Sequence, residues 1–121
     1  MRKSFWWVGV FLWAGIIWYW SSVPHLSSGF EYDFWLRKAA HMSEFFGLAA
    51  LLFLAVGASR LRQIAAGLWL AVVYAGFDEA HQTLVAGRNG SWPDVAIDAA
   101  GVLLALLVLV ICKRRRARKV I

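Results

Sequence analysis

The residues of this chain that could do chemistry lie in three stretches separated by apolar sequence. They are charged, histidine and amide side chains suited to proton transfer, metal ligation, ion pairing or phosphate contacts: Arg37, Lys38, His41, Glu44, Asp78, Glu79, His81, Gln82, Arg88, Asp94 and Asp98. Because 61% of the residues are hydrophobic, against roughly 45 to 50% in a soluble domain, lipid is the expected solvent for most of the surface. Charged groups inside a membrane must pair or face water, so these residues are predicted to share one polar site.

Two non-catalytic interpretations of this site remain open. In the first, the charged groups are structural, and their ion pairs and hydrogen bonds fix how the helices pack. In the second, the site recognises an anionic lipid or a lipid-linked headgroup, with Arg37, Lys38 and Arg88 contacting phosphate while carboxylates hold the basic groups in position.

A membrane-embedded enzyme is the third interpretation. The spacing of three between histidine and carboxylate resembles the metal sites of helix bundles. The candidate metal ligands are His41, Glu44, Asp78 and His81, with Asp94 or Asp98 as an additional oxygen ligand. Nearby basic residues disfavour a cation, and no cofactor is predicted. Without a metal, Glu79 or His81 could act as a general base, whereas Ser91 has no base beside it in the sequence.

Four apolar segments are predicted to position these residues as transmembrane helices in one all-α domain, residues 1–121. They cover about residues 5–23, 34–58, 64–86 and 94–112 and are followed by a basic tail, 113–121. Predicted helices 2, 3 and 4 each become polar at the same end. The simplest arrangement is a shared cleft that opens at one membrane surface.

The orientation follows from the basic residues, which remain on the cytoplasmic side. Ten of the thirteen lie near the N-terminus, at residues 60 and 62, and in the tail, while all seven acidic residues and all three histidines lie in the opposite half. Both termini are therefore predicted to be cytoplasmic and the cleft to face outward. The tail directly follows a span, so anionic lipid is its expected neighbour and nucleic acid is not. A small multidrug transporter is disfavoured because helix 1 carries no ionisable group near the midplane.

Several short motifs occur together in a fixed order along the chain. They are Ser21-Ser22-Val23-Pro24, Lys38 with His41 and Phe45, Asp78-Glu79-Ala80-His81-Gln82, Gly87-Arg88, Ser91 with Asp94, and Asp98-Ala99-Ala100-Gly101. In this set the chain resembles the VanZ-like family of small membrane proteins, named for a protein associated with teicoplanin resistance. It departs from the family at Asp98, where an asparagine is usual.

The resemblance implies a multi-pass protein of the bacterial cytoplasmic membrane that acts at its outer surface. Its expected partners are membrane lipids and a lipid-linked envelope precursor; the sequence does not predict an oligomeric state. The residues expected to bind the ligand are Lys38, His41, Glu44, Asp78, Glu79, Gln82, Arg88, Ser91, Asp94 and Asp98.

Overall fold

A computed structural model of the protein describes residues 2–23, 33–85 and 92–120. Within these residues the chain is 92% helical and contains no strand, which confirms the predicted all-α class. The four helices are α1 (Arg2–Ser22), α2 (Asp33–Val56), α3 (Leu61–Gln82) and α4 (Trp92–Val120). At about 1.5 Å per residue each helix is at least about 30 Å long, which matches the thickness of a bilayer's hydrocarbon core.

Successive helices run antiparallel, and side-chain contacts at the two ends of the bundle define this arrangement. Lys38 near the start of α2 pairs with Asp94 near the start of α4, and Lys113 near the end of α4 donates to the backbone carbonyl of Ala58 beyond the end of α2. Therefore α2 and α4 run in the same direction. Ser21 near the end of α1 contacts Asp78 near the end of α3, and Gln82 of α3 lies beside His41 near the start of α2. The C-terminal ends of α1 and α3 therefore lie beside the N-terminal ends of α2 and α4, and these four ends form the polar end of the bundle.

The backbones of α2 and α4 approach each other closely at Gly101. A Cβ added at Gly101 would overlap the carbonyl oxygen of Met42, so only glycine fits at this point. The apolar core lies along α2 beyond that contact and includes the fully or almost fully buried side chains of Phe45, Leu48 and Ala49. Because α2 and α4 are fixed here, the side chains one turn away on each helix are brought together.

The turn between α2 and α3 is defined by local backbone geometry. Gly57 has a φ of 69°, a left-handed conformation that glycine adopts without strain. The amide of Ala58 donates to the carbonyl of Phe53 over 2.9 Å, which is the hydrogen bond of a Schellman helix end. The side-chain oxygen of Gln63 accepts hydrogen bonds from the backbone amides of Ser59 and Arg60. The start of α3 is thereby capped.

The outer surface of the bundle is largely apolar. Large side chains such as Phe11, Trp69, Phe77 and Leu103 are each at least 60% exposed. By length and composition, Trp35–Val56 and Trp92–Val120 could each cross a membrane. Exposed aromatic and aliphatic groups on this scale suit lipid contact better than water.

The helix bounds differ from the hydropathy prediction mainly in α4. This helix continues through the basic residues 113–120 instead of ending near Cys112. Arginine, lysine and alanine are strong helix formers, and positive charge is favourable at a helix C-terminus. The end of the apolar stretch therefore marks a change of surroundings rather than the end of the helix. In α3 the last helical residue is Gln82, four residues before the predicted end.

Candidate functional site

A network of polar side chains from all four helices occupies the polar end of the bundle. We call it the polar cluster, and its members are Ser21, Lys38, His41, Asp78, Gln82, Asp94 and Asp98. Five of the seven are buried, and Asp78 and Asp98 have no exposed surface. Burying polar groups is unfavourable unless they are hydrogen-bonded or paired, so the contacts within the cluster are needed for the fold.

Asp78 connects α1 to α3. The hydroxyl of Ser21 donates to Oδ1 of Asp78 over 2.5 Å, while the amide nitrogen of Gln82 lies 3.4 Å from Oδ2. The same amide nitrogen is 3.2 Å from the Ser21 hydroxyl and 3.4 Å from Nε2 of His41. These three distances are at or beyond the long end of the hydrogen-bond range, so the Gln82 amide lies between three acceptors without a short bond to any.

His41 connects α2 to α4. Its Nδ1 lies 3.1 Å from Oδ1 of Asp98. The second oxygen of Asp98, Oδ2, is buried and has no hydrogen-bond partner among the described residues. A buried carboxylate oxygen left without a donor is costly, and Asp98 therefore has an acceptor that no described residue satisfies.

Lys38 and Asp94 form the part of the cluster closest to the surface. Their side chains are ion-paired and remain 24% and 11% exposed, while Asp98 is fully enclosed. Arg37, next in the chain to Lys38, is exposed. The accessible edge of the cluster is therefore the Lys38–Asp94 ion pair, and its interior carries the carboxylates of Asp78 and Asp98.

His81 is held by α1 and not by the carboxylates. Its ring stacks on Trp18 with centroids 3.9 Å apart and planes 15° apart. Its Nε2 lies 2.8 Å from the hydroxyl of Ser22, which donates its single proton to the carbonyl of Trp18. With that assignment of the hydroxyl proton, Nε2 is the donor and Ser22 Oγ the acceptor. Trp18 and Ser22 thus orient His81.

Two further predicted site residues, Glu79 and Glu44, also lie on the described helices. Glu79 is buried on α3, and Glu44 is half-buried on α2, where its backbone carbonyl accepts a 2.8 Å hydrogen bond from the indole of Trp13. Arg88 and Ser91 lie outside the described residues, so their predicted roles remain predictions.

The sequence prediction did not include the side chains of Ser21, Ser22 and Trp18 among the site residues. The Ser21-Ser22 pair at the end of an apolar helix was the signal that could have indicated them.

Three residues in the described part of the chain could together hold a metal ion: His41, Asp78 and Asp98. Each offers one ligand atom, and these atoms lie within 4.8 Å of one another. Two of the four ligands predicted from spacing belong to this group. The other two, Glu44 and His81, do not.

An apolar groove of about 450 Å³ lies between α2 and α4, toward the opposite end of the bundle from the polar cluster. Phe46, Phe53 and Leu109 contribute to its walls, and Lys113 and Arg116 lie at its basic end. Because its lining is apolar, we place the candidate chemistry in the polar cluster instead.

Four packed helices with lipid-compatible outer faces and a buried ionisable cluster define a helical membrane protein. The VanZ/LLP1 family model matches residues 4–113. The chain therefore belongs to the VanZ/LLP1 family, which confirms the resemblance seen in its motifs. Searches of the curated proteins and of the solved structures find no match to this chain.

Proposed function

We propose that this protein recognises the phosphate-bearing headgroup of an anionic lipid or a lipid-linked envelope precursor at the outer surface of a bacterial cytoplasmic membrane. The observation that carries the proposal is the polar cluster itself. Charged groups inside a membrane are costly, and those that are retained commonly mark binding sites and ion pathways. A bundle held together only by apolar contacts and small residues would not need Asp78 and Asp98 fully buried.

In this proposal all four helices cross the membrane and both termini are cytoplasmic. Helix α1 has no charged side chain from Ser4 to its end, and α3 has none between Arg62 and Asp78. Each packs against α2, which is apolar enough to span. The basic residues at positions 60, 62 and 113–119 lie toward the end opposite the polar cluster, which under the positive-inside rule supports an outward-facing cluster.

In this proposal the phosphate contact lies at the accessible edge of the cluster, where Lys38 is partly exposed. Lys38 pairs with Asp94, but an ammonium group has three N–H donors. It can therefore hold Asp94 and still donate to a phosphate oxygen. The exposed Arg37 beside it adds a second positive charge. This arrangement supports recognition of an anionic group at the surface, with the carboxylate of Asp94 positioning Lys38.

Headgroup recognition would also link the protein to glycopeptide susceptibility, because glycopeptide antibiotics act on lipid-linked precursors outside the membrane. A protein that binds the precursor's headgroup there would alter access of teicoplanin to it. The expected phenotype is a change in teicoplanin susceptibility when the chain is expressed, and no change when the variant Lys38→Gln is expressed at an equal level.

Headgroup binding can be measured by native mass spectrometry of the protein released from nanodiscs that contain phosphatidylglycerol, phosphatidylethanolamine and a polyprenyl phosphate. Lys38→Gln retains a hydrogen bond to Asp94 and removes the charge. We expect it to weaken retention of the phosphate-bearing lipid about tenfold or more, the scale of one charge-assisted hydrogen bond.

Arg62→Ala is the matched control, because Arg62 is an exposed basic residue at the opposite end of the bundle. It should retain the lipid as the unmodified chain does. Equal retention by the unmodified chain and Lys38→Gln would contradict headgroup recognition and favour a purely structural cluster.

A further inference from the structure

We propose that His41, Asp78 and Asp98 bind a divalent transition-metal ion. This site is distinct from the surface contact proposed for Lys38, because it lies among the fully buried carboxylates rather than at the accessible edge. It joins α2, α3 and α4. A bound ion would therefore connect three helices as well as provide chemistry.

The geometry of the group suits a metal ion. Protein oxygen and nitrogen ligands lie about 2.0 to 2.6 Å from a bound divalent ion. Two ligands on opposite sides of an ion are thus separated by at most about 4 to 5 Å. The ligand atoms of His41, Asp78 and Asp98 lie within 4.8 Å of one another, so an ion fits between them with little movement.

The unused oxygen of Asp98 is a second, independent indication. Asp98 has no exposed surface, and its Oδ2 has no hydrogen-bond partner among the described residues. A buried acceptor without a donor calls for an explanation such as an ion or a water molecule. Coordination to a cation would satisfy this oxygen and offset the negative charge of two buried carboxylates.

The Gln82 amide also supports a metal ion at this position. Its nitrogen lies 3.4 Å from both Nε2 of His41 and Oδ2 of Asp78, in contacts too long to be strong hydrogen bonds. The two ends of a terminal amide are assigned from its surroundings. With the amide reversed, its carbonyl oxygen would face these two residues and add an oxygen ligand between them.

The type of ion follows from the ligands. Imidazole suits zinc and iron, while carboxylates suit manganese, magnesium and calcium. One imidazole with two carboxylates therefore favours a first-row ion such as Mn²⁺ or Zn²⁺. The two carboxylates carry a formal charge of minus two, which such an ion neutralises. Three protein ligands also leave coordination positions open, and a phosphate oxygen could occupy one of them.

The test uses the full chain in phosphatidylcholine nanodiscs, stripped of metal with a chelator and titrated with Mn²⁺ alone. The electron paramagnetic resonance signal of free Mn²⁺ reports binding. The expected result is one Mn²⁺ bound per chain and displaced by Zn²⁺, which binds such sites more tightly. Since no anionic lipid is present, failure of headgroup recognition would not affect this result.

Variants then assign the site. Asp98→Asn and His41→Gln are expected to weaken Mn²⁺ binding at least ~10-fold, the lower end of the range for disturbing a metal's coordination environment. Ser43→Ala is the matched control, because Ser43 lies on the same helix two residues after His41 and its side chain is exposed. It should bind Mn²⁺ as the unmodified chain does.

A further readout requires no variant and so does not depend on whether a variant folds. Electron spin echo modulation of the Mn²⁺ complex of the unmodified chain should show one coordinated imidazole nitrogen. The proposal is overturned if the unmodified chain binds no Mn²⁺, if its complex lacks the nitrogen coupling, or if Ser43→Ala weakens binding as much as Asp98→Asn.

Discussion

The hydroxyl of Ser21 donates a 2.5 Å hydrogen bond to the carboxylate of Asp78, and both side chains are buried. The two residues are 57 positions apart in the chain but lie at the same level of the bundle, because α1 and α3 run in the same direction. A serine at the end of the first helix therefore provides the donor that a buried aspartate on the third helix requires. The carboxylate is held at this position by a residue on a different helix.

Ser21→Ala is expected to destabilise the bundle by about 1 to 3 kcal/mol, because it leaves a buried carboxylate oxygen without its donor. Thermal unfolding in detergent, followed by tryptophan fluorescence, measures the effect. Ser43→Ala is the control, since the exposed hydroxyl of Ser43 donates to the carbonyl of Ala39 on its own helix. If the two variants unfold at the same temperature, the Ser21 hydrogen bond does not contribute to stability.

Gly101→Ala is expected to destabilise the protein by about 1 to 3 kcal/mol, the usual range for overpacking a close contact. The added Cβ would overlap the carbonyl of Met42, and α2 and α4 would have to separate. His41 and Asp98 would separate with them, so Mn²⁺ binding should also weaken.

Gly76→Ala is the matched control for this change, because a Cβ there would meet nothing within 4 Å. Removing a helical glycine without a clash should leave thermal stability equal or slightly higher. If Gly101→Ala were as stable as Gly76→Ala, the close contact of Gly101 with the carbonyl of Met42 would not limit the residue at this position.

The proposed orientation is tested by cysteine labelling of intact cells in a Cys112→Ser background. Trp92→Cys at the start of α4 should react with a membrane-impermeant maleimide, whereas Arg62→Cys should react only after the membrane is permeabilised. Both parent side chains are exposed, so a difference in labelling reports the side of the membrane. Labelling of Arg62→Cys in intact cells would reverse the proposed topology.

The four helices could be predicted from hydropathy because each is anchored by a long apolar stretch. The continuation of α4 to Val120 could not, since hydropathy detects where the apolar stretch ends while helix propensity determines where the helix ends. Similarly, the arrangement of Ser21 beside Asp78 depends on which helices run in the same direction. No local pattern in the sequence contains that information.

The candidate metal ligands show most clearly what the spacing of residues along a helix cannot predict. Residues three apart on a helix differ by about 60° around its axis, which is enough for Asp78 and His81 to meet different neighbours. Asp78 joins Ser21 and Gln82, while His81 stacks on Trp18. Asp98 was predicted only as an additional ligand, yet it lies closest to His41 in the network because of the α2–α4 contact at Gly101.

The most direct test of headgroup recognition is to capture the lipid at the polar end of the bundle. A benzoylphenylalanine photo-crosslinker replaces Trp35 or Trp92, both highly exposed and near that end, or Trp69, which is similarly exposed near the middle of α3. After irradiation in membranes, mass spectrometry identifies the attached lipid. We predict enrichment of one phosphate-bearing lipid at positions 35 and 92, lost with Lys38→Gln, and bulk lipid composition at position 69. Bulk composition at all three positions, unaffected by Lys38→Gln, would contradict the proposed recognition.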